Sequence, residues 1–264
     1  KPTTSPISVA LTSTITLALS ATPSPVDPVG DSILGTETST PGPPIPDGRI
    51  QIFRLGELSK VISPVDVSSR LTSGEGKIVR VELFGEDGRL LARDLRTYHD
   101  IPWKFAQIGM SLEFEISVAA ELGRLVISVE DSFGRLIEVN SVNIILLKQG
   151  MTELNPPSAL QQRIIIQEPQ EKALIQNSRL IVSGRVRPSG DQPLRVMLVS
   201  EEGRILGQRL AGISSIIPGD YGVFVAEIPY TVSGVVNALL VVYEEGGVMS
   251  DITFLTSLNV ILAP

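Results

Sequence analysis

Val79-Arg80-Val81-Glu82-Leu83 recurs as Leu194-Arg195-Val196-Met197-Leu198, and Gly88-Arg89-Leu90-Leu91 recurs as Gly203-Arg204-Ile205-Leu206. Both pairs lie 115 residues apart. Ser141-Val142-Asn143-Ile144-Ile145-Leu146 recurs as Ser257-Leu258-Asn259-Val260-Ile261-Leu262 at an offset of 116. Three matches in one order at nearly one offset indicate two copies of one fold. The strands expected are near 50–54, 61–71, 77–84, 89–95, 110–118, 123–130 and 137–147 in the first copy. Those of the second are near 163–167, 179–187, 194–200, 204–210, 221–231, 236–244 and 252–262. Leu112, Phe114, Ile116 and Val118 alternate with Glu113, Glu115 and Ser117, which gives one core face and one wet face. Glu86-Asp87-Gly88 and Ser132-Phe133-Gly134 read as hairpin turns. About seven short strands per copy and no helical periodicity predict an all-β chain of two tandem immunoglobulin-like β-sandwich domains. Val81, Leu83, Phe114, Ile116 and Ile127 are the expected inward set of the first, and Val196, Leu198 and Val260 that of the second.

Residues 1–48 differ. They hold nine of the 19 prolines and 16 Ser or Thr, with no aromatic residue. Residues 20–48 read as a Pro/Thr-rich linker of extended chain. Within 1–19, Ile7, Val9, Leu11, Ile15, Leu17 and Leu19 fall on odd positions, with Ser, Thr and Ala on the even ones. That is a β-strand with one apolar face and no neighbouring strand in sequence to cover it. The domains expected are therefore 1–19, a donor-type strand; 20–48, the linker; 49–150, the first sandwich; 151–162, a connector; and 163–264, the second sandwich.

The second copy resembles the immunoglobulin-like domain named for bacterial spore germination proteins, the Gmad2 type. The residues that carry the resemblance are Ile164-Ile165-Ile166 with Glu168-Pro169, Ile181-Val182-Ser183-Gly184-Arg185-Val186, Val196-Met197-Leu198, Glu202-Gly203-Arg204-Ile205-Leu206, Gly222-Val223-Phe224 and the closing strand 258–262. It covers about 163–262; the copy at 49–148 is diverged, with Ser69 in place of Gly184 and no clear Gly-x-Phe. The resemblance implies an extracytoplasmic module and no particular chemistry.

Composition narrows the function classes. A formal net charge of −7 opposes a nucleic-acid backbone or an anionic membrane surface as partner. No apolar run reaches the roughly 18 residues of a membrane span. Without cysteine there is no thiolate metal site, Cys nucleophile or disulfide. The chain opens on Lys1, and it is read as an extracytoplasmic chain whose export signal has been removed; a trimmed chain reads the same way. His99 is the single histidine, in a loop Tyr98-His99-Asp100, and it lacks the pattern of a triad or metal motif. Ser73-Gly74-Glu75-Gly76-Lys77 has the wrong spacing for a phosphate loop. Glu86, Asp87, Asp94, Asp100 and Asp131 lack calcium-loop spacing, and Glu113 with Glu115 reads as a wet sheet face. Trp103 and Phe105 are candidate partner anchors or core plugs.

No catalytic, cofactor-binding or metal residue is therefore expected, and no cofactor. The expectation is a non-enzymatic, secreted or cell-surface structural subunit. It assembles with copies of itself, and with other envelope proteins, by donating the strand at 7–19. The alternatives are a monomeric envelope-attached binding module with the linker as stalk, and an accessory carbohydrate-binding module.

Overall fold

A computed structural model of the chain describes residues 44–72, 78–97, 105–157, 160–214, 219–246 and 252–264. The donor-strand residues Ile7, Val9, Leu11, Ile15, Leu17 and Leu19 lie outside the described residues, as do His99, Asp100 and Trp103. The chain divides at Pro43/Pro44, and Pro44–Pro264 is one compact unit.

That unit is all-β. The first copy holds β1 (Ile50–Ile52), β2 (Ser59–Ile62), β3 (Val65–Thr72), β4 (Ile78–Phe84), β5 (Leu90–Thr97), β6 (Phe105–Leu112), β7 (Ala120–Glu130) and β8 (Leu136–Leu147). The second holds β9 (Ile164–Glu168), β10 (Leu174–Ile175), β11 (Arg179–Val186), β12 (Leu194–Ser200), β13 (Ile205–Ala211), β14 (Ile213–Ser214), β15 (Gly222–Pro229), β16 (Val236–Glu245) and β17 (Ile252–Leu262). Each copy is a sandwich. The back sheets run β1-β3-β6 and β9-β11-β15-β14. The front sheets run β2-β8-β7-β4-β5 and β10-β17-β16-β12-β13. In both, a short leading strand pairs in parallel with the closing one, β2 with β8 and β10 with β17. This is the immunoglobulin-like arrangement.

The ladders repeat residue for residue. Val81 faces Ile127 on one side and Asp94 on the other; Val196 faces Val242 and Arg209. Ile144 faces Gly123, and Val260 faces Ala238. The whole expected inward set is buried, from Val81, Leu83, Phe114, Ile116 and Ile127 to Val196, Leu198 and Val260. Burial alternates strictly along β15: Phe224, Ala226 and Ile228 point inward, and Val223, Val225 and Glu227 point outward.

Two strands differ from their expected spans. The single strand expected near 61–71 is two, β2 in the front sheet and β3 in the back sheet, separated at Ser63-Pro64. β6 ends at Leu112, and residues 113–116 lie outside any ladder, with Glu113 and Glu115 exposed and Phe114 and Ile116 buried. Phe114 and Ile116 still reach the core, because the Phe114 N–H donates to Ser63 Oγ at 3.0 Å rather than to a neighbouring strand. Val118 is 48% exposed and is not a core residue.

The divergence at Ser69 has a packing cause. Gly184 faces Phe224 across the β11–β15 ladder, and a Cβ there would lie 2.7 Å from that ring and 2.2 Å from the Ile165 carbonyl oxygen. In the first copy Ser69 faces the smaller Ile108. Glycine with phenylalanine has become serine with isoleucine, which conserves volume across the pair.

A second repeated device fastens the closing strands. Glu57 accepts from Asn143 Nδ2 at 2.7 Å and from Asn143 N at 3.3 Å. Glu171 accepts from Asn259 Nδ2 at 3.1 Å and from Asn259 N at 3.2 Å. The residues that follow the two carboxylates, Leu58 and Lys172, both adopt positive φ, at 59° and 62°. Each donates its backbone N–H to the same asparagine's carbonyl at 2.7 Å.

Candidate functional site

The most elaborate arrangement among the described residues is the seam between the two sandwiches. β8 pairs with β17 at Val139↔Leu255 and Glu138↔Thr256, so the two front sheets form one ten-stranded sheet. The outward faces of the same sheets pack together in a core of their own. Val126 and Val139 of the first copy meet Leu239, Val241, Tyr243 and Leu255 of the second, with Phe84, Met197 and Val199 alongside. β7 and β16 are accordingly buried on both faces, and their apolar runs lack alternation.

The connector is stitched down rather than spanning a gap. Lys60 and Glu153 exchange backbone hydrogen bonds of 2.8 and 2.9 Å, and their side chains pair at 2.9 Å. Gly48 N donates to Leu160 O at 2.8 Å, and Gln162 N donates to Pro46 O at 2.9 Å.

Polar groups cross the seam. Glu138 is 6% exposed, and its carboxylate accepts from Gln162 Nε2 at 2.7 Å and from Thr256 Oγ1 at 3.1 Å. The Arg49 guanidinium lies 3.7 Å away. Burial pushes the Glu138 pKa up to about 7; Arg49 and the two hydrogen bonds pull the other way. Arg135 pairs with Asp131 at 2.8 Å and donates to the Val199 and Ser200 carbonyls at the end of β12. Arg163 stacks on Phe254 at 4.0 Å, and burial lowers its pKa. Tyr221 donates its hydroxyl to Gln162 O at 2.6 Å, and Arg185 and Arg187 lie over its ring. Two small clefts open along the seam, each with about 20 Å³ of room, enough for about one water.

The arrangement is a rigid joint. Its donors and acceptors are mostly spent on each other, and among the described residues no group of three His, Asp or Glu side chains could hold a metal ion. The acidic turn residues have local partners. Asp87 accepts from Arg89 N and its guanidinium; Asp131 accepts from Phe133 N, Arg135 N and the Arg135 side chain. Asp94 pairs with Arg96 at 2.9 Å. Glu113 and Glu115 are exposed.

No family model and no curated protein matches the sequence. Some solved structures are similar to it. Red sea bream transglutaminase is 13% identical over 82% of this chain and 31% of its own, with a TM-score of 0.29. The ICAM-5 D1–D4 ectodomain fragment is 15% identical over 81% and 53%, with a TM-score of 0.25. Drosophila OTK extracellular domains 3–5 are 12% identical over 83% and 66%, with a TM-score of 0.24. The chain thus spans about a third of the transglutaminase and about half of the ICAM-5 fragment. Strand order and register, not these distant likenesses, define the class: a tandem immunoglobulin-like module with a fused front sheet.

Proposed function

We propose that this chain is a non-enzymatic, extracytoplasmic structural subunit. It joins to neighbouring copies of itself by donating the strand at residues 7–19. The observation that carries the reading is the seam: two sandwiches locked by a shared sheet and a third core make a stiff body, the kind of unit a fibre or surface layer repeats. A strand with an apolar face is an aggregation hazard unless it is paired, and β-strand addition pairs it. A head-to-tail contact of this kind does not close and propagates into a filament. Membership of residues 163–262 in the Gmad2 type belongs to the same proposal.

The test is sedimentation velocity and negative-stain microscopy of the full chain, beside a Leu11→Asp, Ile15→Asp variant. Filaments or large assemblies from the first and monomers from the second are expected. Monomers from both would replace this reading with a monomeric, stalked envelope module.

A further inference from the structure

An arginine precedes the first strand of each copy, and the two are placed alike. Arg49 comes before Ile50, which faces Leu71; Arg163 comes before Ile164, which faces Val186 at the equivalent rung. In the first copy the guanidinium meets a carboxylate, that of Glu138 at 3.7 Å. The second copy holds Phe254 at that place. Glu138 faces Val129 in the β7–β8 ladder and Phe254 faces Glu244 in the β16–β17 ladder, each beside a register shift. Arg163 therefore lies over a ring, at 4.0 Å, where Arg49 has a counter-ion.

A second change works in the same direction. Arg187 follows Gly184 by three residues, as Thr72 follows Ser69, so a cation stands where the first copy has a hydroxyl. The two arginines are half-buried and tied to each other. Arg163 Nε donates to Arg187 O at 2.8 Å, and Arg187 N donates to Arg163 O at 3.0 Å. Like charges held this close repel. Among the described residues neither guanidinium has a carboxylate within ion-pair distance, and neither has an interaction beyond those described. Burial lowers the Arg163 pKa, and the charge that most opposes this is Glu244. Glu244 is itself buried, and it accepts from both the N–H and the hydroxyl of Ser189.

Both arginines line the cleft at the seam, with Phe254 beside them and Gln51, Asn140 and Ser141 of the first sandwich opposite. Gln51 and Asn140 spend their amide nitrogens on the Leu160 and Ile50 carbonyls. The donors that remain on the walls are the guanidinium N–H groups, the Ser141 hydroxyl and the Gln161 amide. The room is about 20 Å³, that of about one water. Positive charge, N–H and O–H donors, an apolar ring and space for a single heavy atom fit a monatomic anion. Sulfate and phosphate are too large.

We propose that this cleft binds a chloride-sized anion through Arg163 and Arg187, in the role that the Glu138 carboxylate has for Arg49 in the first copy. The site stands apart from the donor-strand reading. Its walls come from both sandwiches, so the anion binds the closed seam and holds it closed.

Urea denaturation of the full chain tests this at one fixed ionic strength, with chloride replacing gluconate, an anion too large for the cleft. Arg187→Gln keeps an amide donor and drops the charge. Arg179→Gln, in the exposed pair with Glu227, is the control. For the unaltered chain and Arg179→Gln, the folding equilibrium constant rises about tenfold for each tenfold rise in chloride above its Kd; for Arg187→Gln it stays flat. Equal responses in the unaltered chain and Arg187→Gln overturn the proposal, whether both are flat or both rise. The chlorine NMR line of chloride is a second readout that needs no variant. The folded chain broadens it, added bromide narrows it again, and sulfate leaves it broad. A line that the folded chain leaves sharp, or that sulfate narrows as well as bromide does, overturns the site.

Discussion

Replacing Glu138 with glutamine isolates the electrostatic cost of the seam. The carboxyl is buried between the sandwiches, and its pKa rises from 4.5 to about 7. The folded chain therefore holds a proton on this group over a range where the unfolded chain has released it. Stability from this group is fully present below pH 4.5 and is lost as pH rises through about 7. A rise of about 2.5 units at about 1.4 kcal/mol per unit amounts to about 3 kcal/mol. Glutamine keeps the shape, accepts from Gln162 through its carbonyl and donates to Thr256 Oγ1, but it never ionises. Urea denaturation of both proteins between pH 4 and pH 8.5 measures the effect, and the difference between them removes the other carboxylates. The gap should be smallest near pH 4 and should shift in favour of Glu138→Gln by about 3 kcal/mol by pH 8. A gap that does not change with pH, or that moves against the variant as pH rises, would refute the argument. It would mean that Arg49, at 3.7 Å, offsets the burial in full.

Phe114→Ala should cost about 3 kcal/mol by the same denaturation assay, because the ring is 9% exposed and sits in the first core; a loss under about 1 kcal/mol would put the ring outside that core. Gly184→Ala should destabilise by about 2 kcal/mol through its clash with Phe224 and the Ile165 carbonyl, and adding Phe224→Ile should recover part of the loss. Additive effects of the two substitutions would break the volume-exchange explanation of Ser69 with Ile108. Asn143→Ala and Asn259→Ala should each cost about 1–2 kcal/mol and leave Glu57 or Glu171 without its side-chain donor; near-neutral values would reduce the clamp to a surface contact.

Much of this fold is legible in the residues. The repeat offset of 115 reappears as ladder register, because side-chain period and turn chemistry place each strand locally. The two-residue strands β10 and β14 leave no periodic signal, being too short to show one. The seam has a signal of a different kind. The dense run Ala238 to Tyr243 has no polar alternation, and such a strand must be covered on both sides. Nothing in the run says that the second cover is the other copy. Glu138 is harder still. In sequence it alternates with Ile137 and Val139 like a wet-face residue, and only the meeting of β8 with β17 buries it. The clamp was half visible: Asn143 and Asn259 match within the closing strands, but Glu57 and Glu171 lie in loops where nothing marks them. The donor-strand residues at 7–19 lie outside the described residues, so the reading of that segment stands on its alternation alone.

The stitching at residues 46–48 and 160–162 has a mechanical consequence. Gly48 to Leu160 and Gln162 to Pro46 are pinned by backbone hydrogen bonds, and Arg49 N donates to Gln162 Oε1 at 2.9 Å. The whole first sandwich is thus a loop whose two ends are tied together. A pull between Pro44 and the end of β17 passes through that tie into the second sandwich, and the first hangs beside the load path. Under tension the first sandwich is shielded until the tie parts; the load then falls on its own core and on the β8–β17 pairing that joins it to the second. The tie is the first element of the chain to feel a pull, ahead of either core.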